Sequence, residues 1–409
     1  MQSISEDIAY YGGLTMQNNF ANSFKKLPHD YTFGVELEFT GGLTVEETQI
    51  YIDQLIEMGM IREGWTVHFD RSVIDEEGKG AEIVSPILRD DEQTEKELKI
   101  ITKFIRQSGG IMGEKVGGHV HFGLQCLGNN IEEIKNFFKL YTIFEPLLYK
   151  LSTGDLNYVR SGCHQYAIPI QNGLVNVIDD NFDNLTELIA ALCANVGANS
   201  THYGAYRYYG LNIQRIIEAI RNKPKNIAME EYLQRIFKGE ELYDDKGKRI
   251  SPTIEMRFRN GSSDADEILS SIRMCGGMFV AAKDKEFKED KTIKSLYRKA
   301  KSRVKYIFDK VLQSNREDPN FRDCQTDEEI LLKKFATSIY GNGIIDPNVL
   351  REFLRIVAPT MKKEDKEKLI NYYLNKVKPT DYKKKSIIER LFTSVENRTQ
   401  ERQYSLRVA

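Results

Sequence analysis

The sequence has little of what marks a secreted or membrane protein. It holds five cysteines among 409 residues, an odd number with no CxxC spacing, which argues against a disulfide framework and against a thiolate zinc site. No apolar run approaches the length of a membrane-spanning helix, and the first thirty residues contain no apolar signal-peptide core. We therefore expect a protein of the reducing cytoplasm that does not enter a membrane.

The sequence also lacks an excess of either charge. The formal net charge is −2, with 29% charged and 41% hydrophobic residues, a composition typical of a soluble globular protein. A chain so close to neutrality has no overall attraction to nucleic acid, and a nucleic-acid partner is not expected. The basic stretch from about Lys283 to Lys310 is interpreted as a solvated helical face, and a grip on an acidic partner is the alternative.

The hydrophobic patterning divides the chain into three regions. Residues 1–28 have little periodicity and are predicted to be an N-terminal extension. Residues 29–265 mix strand-like alternation with helical spacing, with 213–249 as an insertion, and residues 266–409 are predicted to be nearly all helical. The predicted class is therefore α+β, followed by a helical C-terminal region.

The most informative segment is the strand-like run Phe33–Phe39. Apolar side chains alternate there with Glu36 and Glu38, so both carboxylates share one face of the strand, roughly 7 Å apart. Two anions at that distance repel by about 2 kcal/mol at an effective dielectric near 20. A bound Mg²⁺ or Mn²⁺ would offset this repulsion, whereas a half-exposed strand with a hydrated polar face is the simpler alternative.

Four further strand-like segments also carry ionisable groups on one face. They hold Asp70, Glu82, the pair His119 and His121, and the pair Glu255 and Arg257. Taken singly, each group has a structural explanation, such as a hydrogen-bonded core histidine or an ion pair between strands. Taken together, so many ionisable groups on sheet faces are costly without partners. Carboxylates, imidazole and guanidinium are the groups that bind a polyphosphate with divalent cations.

The motifs occur in an order that resembles the amidoligase family, within the glutamine synthetase and glutamate–cysteine ligase superfamily. The ordered set is E-x-E, D-x-S, E-I-V-S-P, G-G-H-V-H-x-G, R-Y-Y-G-L-N and T-I-E-x-R, within residues 31–262. The resemblance implies a curved, mainly antiparallel sheet backed by helices, with ATP and divalent metals on its concave face. It also implies ATP-dependent joining of a carboxylate to an amine through an acyl phosphate.

The same resemblance assigns roles to individual residues. It makes metal ligands of six residues: Glu36, Glu38, Asp70, Glu82, His119 and Glu255. It places His121 near the ATP phosphates and Arg257 against the transferred phosphoryl group, and it counts both with Glu255 as catalytic residues. Arg207 and Asn212 are carried over as phosphate or substrate contacts. The amine and the carboxylate stay open among small molecules, peptides and protein side chains, and no oligomeric state is implied.

Two other classes of function compete with this interpretation. A metal-dependent hydrolase would use His119 and His121 with the carboxylates, although a zinc hydrolase normally needs three good ligands. A ligase-like scaffold or binding protein would have lost its activity and would use the helical tail. The sequence departs from the family at Gly117-Gly118, where a larger apolar residue is more usual in the second position, and beyond residue 266, where no match is evident.

Overall fold

The computed structural model of the protein describes residues 24–113, 116–152, 167, 169–197, 209–315, 317–319 and 347–375. Eight strands lie in these ranges: β1 Phe33–Thr40, β2 Thr66–His68, β3 Gly80–Val84, β4 Gly118–Gly123, β5 Leu211–Asn212, β6 Leu242–Tyr243, β7 Arg249–Ile250 and β8 Thr253–Met256. The predicted strands at Glu36, Glu82, His119 and Glu255 are all present, each shifted at its ends by a few residues at most.

The α-helices fall between and after the strands. Up to the end of the sheet they are α1 Val45–Glu57, α2 Glu92–Gln107, α3 Ile131–Ser152, α4 Gln171–Asp179, α5 Leu185–Leu192, α6 Gln214–Arg221 and α7 Met229–Phe237. After the sheet they are α8 Ala265–Ala282, α9 Lys285–Glu289, α10 Lys291–Tyr306, α11 Leu312–Asn315, α12 Pro347–Val357 and α13 Lys363–Asn375.

Six strands form one sheet in the order β2-β3-β1-β4-β8-β5, and β6 pairs with β7 in a separate hairpin. Every neighbouring pair of the sheet is antiparallel, as predicted. The hairpin and helices α6 and α7 occupy the predicted insertion 213–249. The strand that carries Glu36 and Glu38 therefore lies near the middle of the sheet, with a strand bearing ionisable groups on each side.

The alternation of β1 decides which face of the sheet packs against helices. Val35, Leu37 and Phe39 are almost fully buried, while the intervening glutamates point to the opposite face. On the apolar side, the ring of Phe122 lies 4.9 Å from that of Phe279 in α8, which in turn stacks on Phe137 of α3 at 4.1 Å. Helices therefore cover one face of the sheet and leave the acidic face for a ligand.

Local sequence signals explain the connections next to the acidic strand. Thr44 caps α1 through the predicted capping box, since its hydroxyl accepts from the amide of Glu47 and the Glu47 carboxylate accepts from the amide of Thr44. Gly80 begins β3 with φ +120°. A Cβ there would lie 2.6 Å from the carbonyl oxygen of Val73, so this turn requires glycine.

The helices after residue 265 share one hydrophobic core with the sheet. Buried residues of α8, α12 and α13, such as Phe279, Phe353 and Leu369, belong to the same apolar cluster as Val35 and Phe122. The boundaries proposed at residues 28 and 265 stay predictions, and most of the N-terminal extension lies outside the described residues.

No helix within the described ranges is long and apolar enough to span a membrane. The described cysteines Cys126, Cys193 and Cys275 are free thiols, in agreement with the absence of a disulfide pattern in the sequence.

Candidate active site

The antiparallel register places polar groups of five strands side by side on the face of the sheet that carries Glu36 and Glu38. Directly opposed residues share a face, and the opposed pairs are Glu38 with Glu82, Glu36 with His119, His121 with Glu255, and Glu255 with Asn212. The sheet thus presents a continuous patch of carboxylates and imidazoles, of the residue types predicted from the sequence.

The first cluster, which we call the histidine group, consists of Glu36, His119 and Glu255. One ligand atom from each residue lies within 4.8 Å of the other two. Nδ1 of His119 is 2.7 Å from Oε2 of Glu36 and 3.5 Å from Oε1 of Glu255. His119 and Glu255 are buried, so one nitrogen and two carboxylates converge on a volume that suits a divalent cation.

The second cluster, which we call the carboxylate group, consists of Glu38, Asp70 and Glu82, again with one oxygen from each within 4.8 Å of the others. Asp70 follows strand β2 and is held by a turn in which its Oδ1 accepts from the amide of Ser72 at 2.7 Å. This turn explains the aspartate of the D-x-S motif, because its side chain accepts from a backbone amide two residues further along. Three oxygen ligands without nitrogen suit Mg²⁺, Mn²⁺ or Ca²⁺.

His119 joins the two clusters. Its Nδ1 faces Glu36 of the histidine group, while its Nε2 lies 3.5 Å from Oε1 of Glu38 in the carboxylate group. Two cations held by the two clusters would therefore be close neighbours on one sheet face. All six predicted metal ligands are brought together in this way, three in each cluster.

The two glycines before His119 are explained by the space around this imidazole. A Cβ at Gly117 would lie 2.5 Å from Nε2 of His119 and 3.0 Å from Oε2 of Glu38. The amide of Gly117 also donates to that same Glu38 oxygen at 2.5 Å. A Cβ at Gly118 would lie 2.8 Å from the carbonyl oxygen of Asn260. The departure from the usual family pattern therefore matches close packing at both positions.

One carboxylate of each cluster has a shifted pKa, and the two shifts have opposite directions. Burial acts to raise the pKa of Glu36, but hydrogen bonds with His119 and His121 outweigh it and hold this pKa well below its usual range. Glu82 has no hydrogen bond of this kind to a described residue, and the charge of Arg257 lowers its pKa only slightly. Burial first, and then the negative charges of Glu36, Glu38 and Asp70, raise the pKa of Glu82 to about 8. The carboxylate group is thus short of positive charge.

His121 lies beside the histidine group and not within either cluster. Its Nε2 is 2.8 Å from Oε1 of Glu36 and 3.9 Å from Oε1 of Glu255. Burial acts to lower the pKa of His121, but the charges of Glu255 and Glu36 outweigh it and raise this pKa. Its Nδ1 is 3.1 Å from the hydroxyl of Thr253, so this threonine orients the ring.

The other predicted residues surround Glu255. Arg257, on the same face of the chain two residues further along, donates through its Nη1 to Oε1 of Glu255. Asn212 donates to Oε2 of Glu255 at 2.7 Å and is buried, so in this structure it contacts a predicted ligand. Arg207 lies outside the described residues.

A cavity of about 1090 Å³ opens beside the histidine group. Glu36 and His121 line one end, and apolar residues, including Phe237 of the insertion and Ile250 just after it, line another part. The wall also holds five basic residues, Arg89, Arg215, Lys238, Lys248 and Arg249, and five acidic residues besides Glu36, namely Asp30, Glu218, Glu240, Glu241 and Asp244. Arg215 and Arg249 pair with glutamates, whereas Lys238 and Lys248 make no ion pair with any residue that the structure describes.

The sequence reasoning missed the residues that support the predicted ligands. Thr253 carried a signal, because it lies two positions before Glu255 on the same face of a strand. Gly117 agrees with the small residue of the family pattern, and only Gly118 departs from it. The basic residues of the cavity wall had no local signal, since they come from separate helices and loops.

The fold and the site together define an α+β protein with two adjacent cation-ligand clusters on the polar face of an antiparallel sheet. The family model described as "Putative amidoligase enzyme" matches residues 29–279, more than half of the chain. The chain therefore belongs to the amidoligase family, whose description indicates an amide-bond-forming ligase. A search of curated proteins finds no match.

Proposed function

We propose that the protein is an ATP- and Mg²⁺-dependent carboxylate–amine ligase that works through an acyl phosphate. The observation that carries this proposal is the pair of adjacent ligand clusters, joined by His119, with the Arg257 guanidinium beside them. We also infer that the six-stranded sheet is a glutamine synthetase-like catalytic fold, because its ligands occur on the strands and in the order that this superfamily uses.

The residues present fit a pair of divalent cations. The histidine group would hold one Mg²⁺ or Mn²⁺, and the carboxylate group would hold a second. The raised pKa of Glu82 supports this assignment, since a carboxylate that stays protonated beside three other acids lacks the positive charge that a cation brings. Bound there, divalent cations supply charge neutralisation and orientation for a transferring phosphoryl group.

We infer that the cavity beside the histidine group takes ATP. Its volume and its apolar wall suit an adenosine moiety, while its opening onto Glu36 and His121 suits a triphosphate that reaches the histidine group. Lys238 and Lys248 are cations in that wall without an ion pair to a described residue, so they are free to meet phosphate oxygens.

The chemistry then follows from the charges around Arg257. A substrate carboxylate would attack the γ-phosphoryl group, and ADP would leave with the electron pair of the broken bond. The guanidinium of Arg257 would stabilise the charge that develops on the phosphoryl oxygens. An amine would next attack the acyl phosphate, forming the amide and releasing phosphate after loss of a proton.

The hydrolase alternative needs both histidines on one ion. Within the described residues only His119 enters a ligand cluster, while His121 is hydrogen-bonded to Glu36 and Thr253. This arrangement favours the ligase over the hydrolase. An inactive scaffold would have no use for two convergent clusters, which favours an active enzyme.

The proposal is tested by trapping the activated carboxylate. The protein is incubated with ATP, Mg²⁺ and a pool of amino acids and peptides, with hydroxylamine as the amine, and ADP and hydroxamate are both measured. We expect equal amounts of ADP and hydroxamate from the wild-type protein. The Glu36→Gln variant should lose both products, because it removes a ligand of the histidine group whose pKa is held well below its usual range.

A matched variant controls for the substitution itself. Glu57→Gln changes an exposed glutamate at the end of α1 and should leave both products unchanged. Hydroxamate that forms without ATP, or full turnover by Glu36→Gln, would refute the ligase mechanism. ATP-independent release of amines from the pool would instead support the hydrolase.

A further inference from the structure

Helix α10 carries a stripe of positive charge on the side of the protein away from the candidate active site. The stripe consists of Lys291, Lys294, Arg298, Lys301 and Lys305, spaced alternately three and four residues apart. Residues at that spacing lie on one face of a helix. All five are exposed, and the stripe is about 21 Å long at 1.5 Å per residue.

The buried side chains of the same helix fix its orientation. Ile293, Tyr297, Ala300 and Val304 are buried and pack on α3 and α4. Because α3 and α8 separate α10 from the apolar face of the sheet, the stripe belongs to an outer layer behind the sheet. A partner bound there would leave the ligand clusters accessible.

Most of the positive charge on this stripe is not neutralised locally. Lys294 pairs with Glu289, and Lys301 pairs with Asp179. Lys291, Arg298 and Lys305 make no ion pair with a residue in the described ranges, and they lie seven residues apart, or about 10 Å along the axis. No acidic residue occurs within α10, so the acids expected among these bases lie before and after the helix.

The distribution of charge over the whole chain decides the kind of partner. Residues 291–310 hold eight Lys or Arg and one Asp, a net charge of +7, whereas the whole chain has a net charge of −2. The remaining residues therefore carry −9. A long polyanion such as nucleic acid would extend beyond the 21 Å stripe and meet this negative charge, while a short acidic segment would contact the stripe alone.

We propose that the α10 stripe is a docking surface for an acidic polypeptide segment. Carboxylates repeated every three to four residues on a helix have the same spacing as the basic side chains of the stripe. Such a segment would place each carboxylate opposite a Lys or Arg. The proposal concerns binding alone, and it holds whether or not the ligase mechanism is correct.

The test uses a fluorescein-labelled oligo-glutamate of 14 residues and fluorescence anisotropy at low salt. The triple variant Lys291→Glu, Arg298→Glu and Lys305→Glu should weaken binding about tenfold or more, since three exposed ion pairs each contribute a few-fold. Substitution of the same three residues by Gln should give a smaller loss. This second variant keeps the test decisive if the charge reversal disturbs folding, which circular dichroism would reveal.

The control is a charge reversal of three exposed lysines elsewhere, Lys96→Glu, Lys103→Glu and Lys246→Glu, which should change the affinity less than about twofold in the absence of direct contact. Equal losses in both triple variants would overturn the proposal, because binding would then follow total charge. Tighter binding of an oligothymidylate of the same length than of the oligo-glutamate, through the same residues, would also overturn the proposal and indicate a nucleic-acid partner. Absence of peptide binding by the wild-type protein would refute it outright.

Discussion

Replacing Glu82 by Gln should stabilise the metal-free protein at alkaline pH and weaken its binding of divalent cations. Glu82 lies among Glu36, Glu38 and Asp70, and burial together with these three charges raises the pKa of Glu82 to about 8. The glutamine has nearly the same shape but no charge to desolvate. The substitution therefore isolates the electrostatic cost of an ionised fourth carboxylate in this patch.

The size of the effect follows from the shift in this pKa. The folded chain keeps the Glu82 proton up to a pH of about 8, while an ordinary glutamate loses it near 4.5. Between these values the folded state binds more protons than the unfolded state, so stability falls as the pH rises. One pKa unit corresponds to about 1.4 kcal/mol, which gives a loss of about 2–3 kcal/mol between pH 6 and pH 8 in the wild-type protein.

The assay is urea unfolding in EDTA at pH 6 and pH 9. At pH 6 the variant should already be more stable by about 2 kcal/mol, because the unfolded wild-type protein has released the Glu82 proton while its folded state still holds it. Between pH 6 and pH 9 the free energy of unfolding of the variant should rise by about 2–3 kcal/mol relative to that of the wild-type protein. Glu63→Gln, at an exposed position, should show no such change with pH.

Addition of Mg²⁺ or Mn²⁺ at pH 9 should make the wild-type protein more stable than Glu82→Gln. The ionised carboxylate group of the wild-type protein binds the cation and is stabilised by that binding, whereas the variant has lost one ligand. If Glu82→Gln and the wild-type protein respond alike to pH in EDTA, the crowding of carboxylates inferred for this site is wrong.

Two further predictions concern the packing around the site. Gly117→Ala should weaken Mn²⁺ binding at least tenfold in calorimetric titrations, because its Cβ would lie 2.5 Å from Nε2 of His119. The control variant Gly34→Ala should bind Mn²⁺ normally, because its Cβ would lie 3.5 Å from its nearest neighbour. Equal Mn²⁺ affinities in the two variants would contradict this prediction. Arg62→Ala should destabilise the protein by about 3 kcal/mol in urea unfolding, because it leaves the buried carboxylate of Glu97 without its ion pair, and a loss below 1 kcal/mol would show that the remaining hydrogen bonds suffice.

Much of the candidate site could be predicted because strand alternation is a local property. The spacing of Glu36 and Glu38 already places both on one face, and the same holds for His119 and His121. The pattern of apolar residues between them predicts which face is buried. Local sequence therefore reveals the members of the patch.

The grouping of these residues into two clusters depends on contacts that no local pattern encodes. Glu38 meets Glu82 because β1 and β3 pair in one particular register, and Asp70 joins them through a turn at the end of β2. The ring of His121 is oriented by a contact with Thr253, 132 residues away in the chain. Strand order and register are tertiary properties, and the sequence alone suggested them only through the family resemblance.

The two clusters are proposed to hold two divalent cations. Electron paramagnetic resonance of Mn²⁺ titrated into the protein with ATP would count the bound ions. We expect two bound Mn²⁺ ions per chain, close enough for their spins to couple. Glu255→Gln should remove the ion of the histidine group, and Glu82→Gln should remove the ion of the carboxylate group. A single bound ion, or two ions that both substitutions leave in place, would contradict the proposed two-cation site.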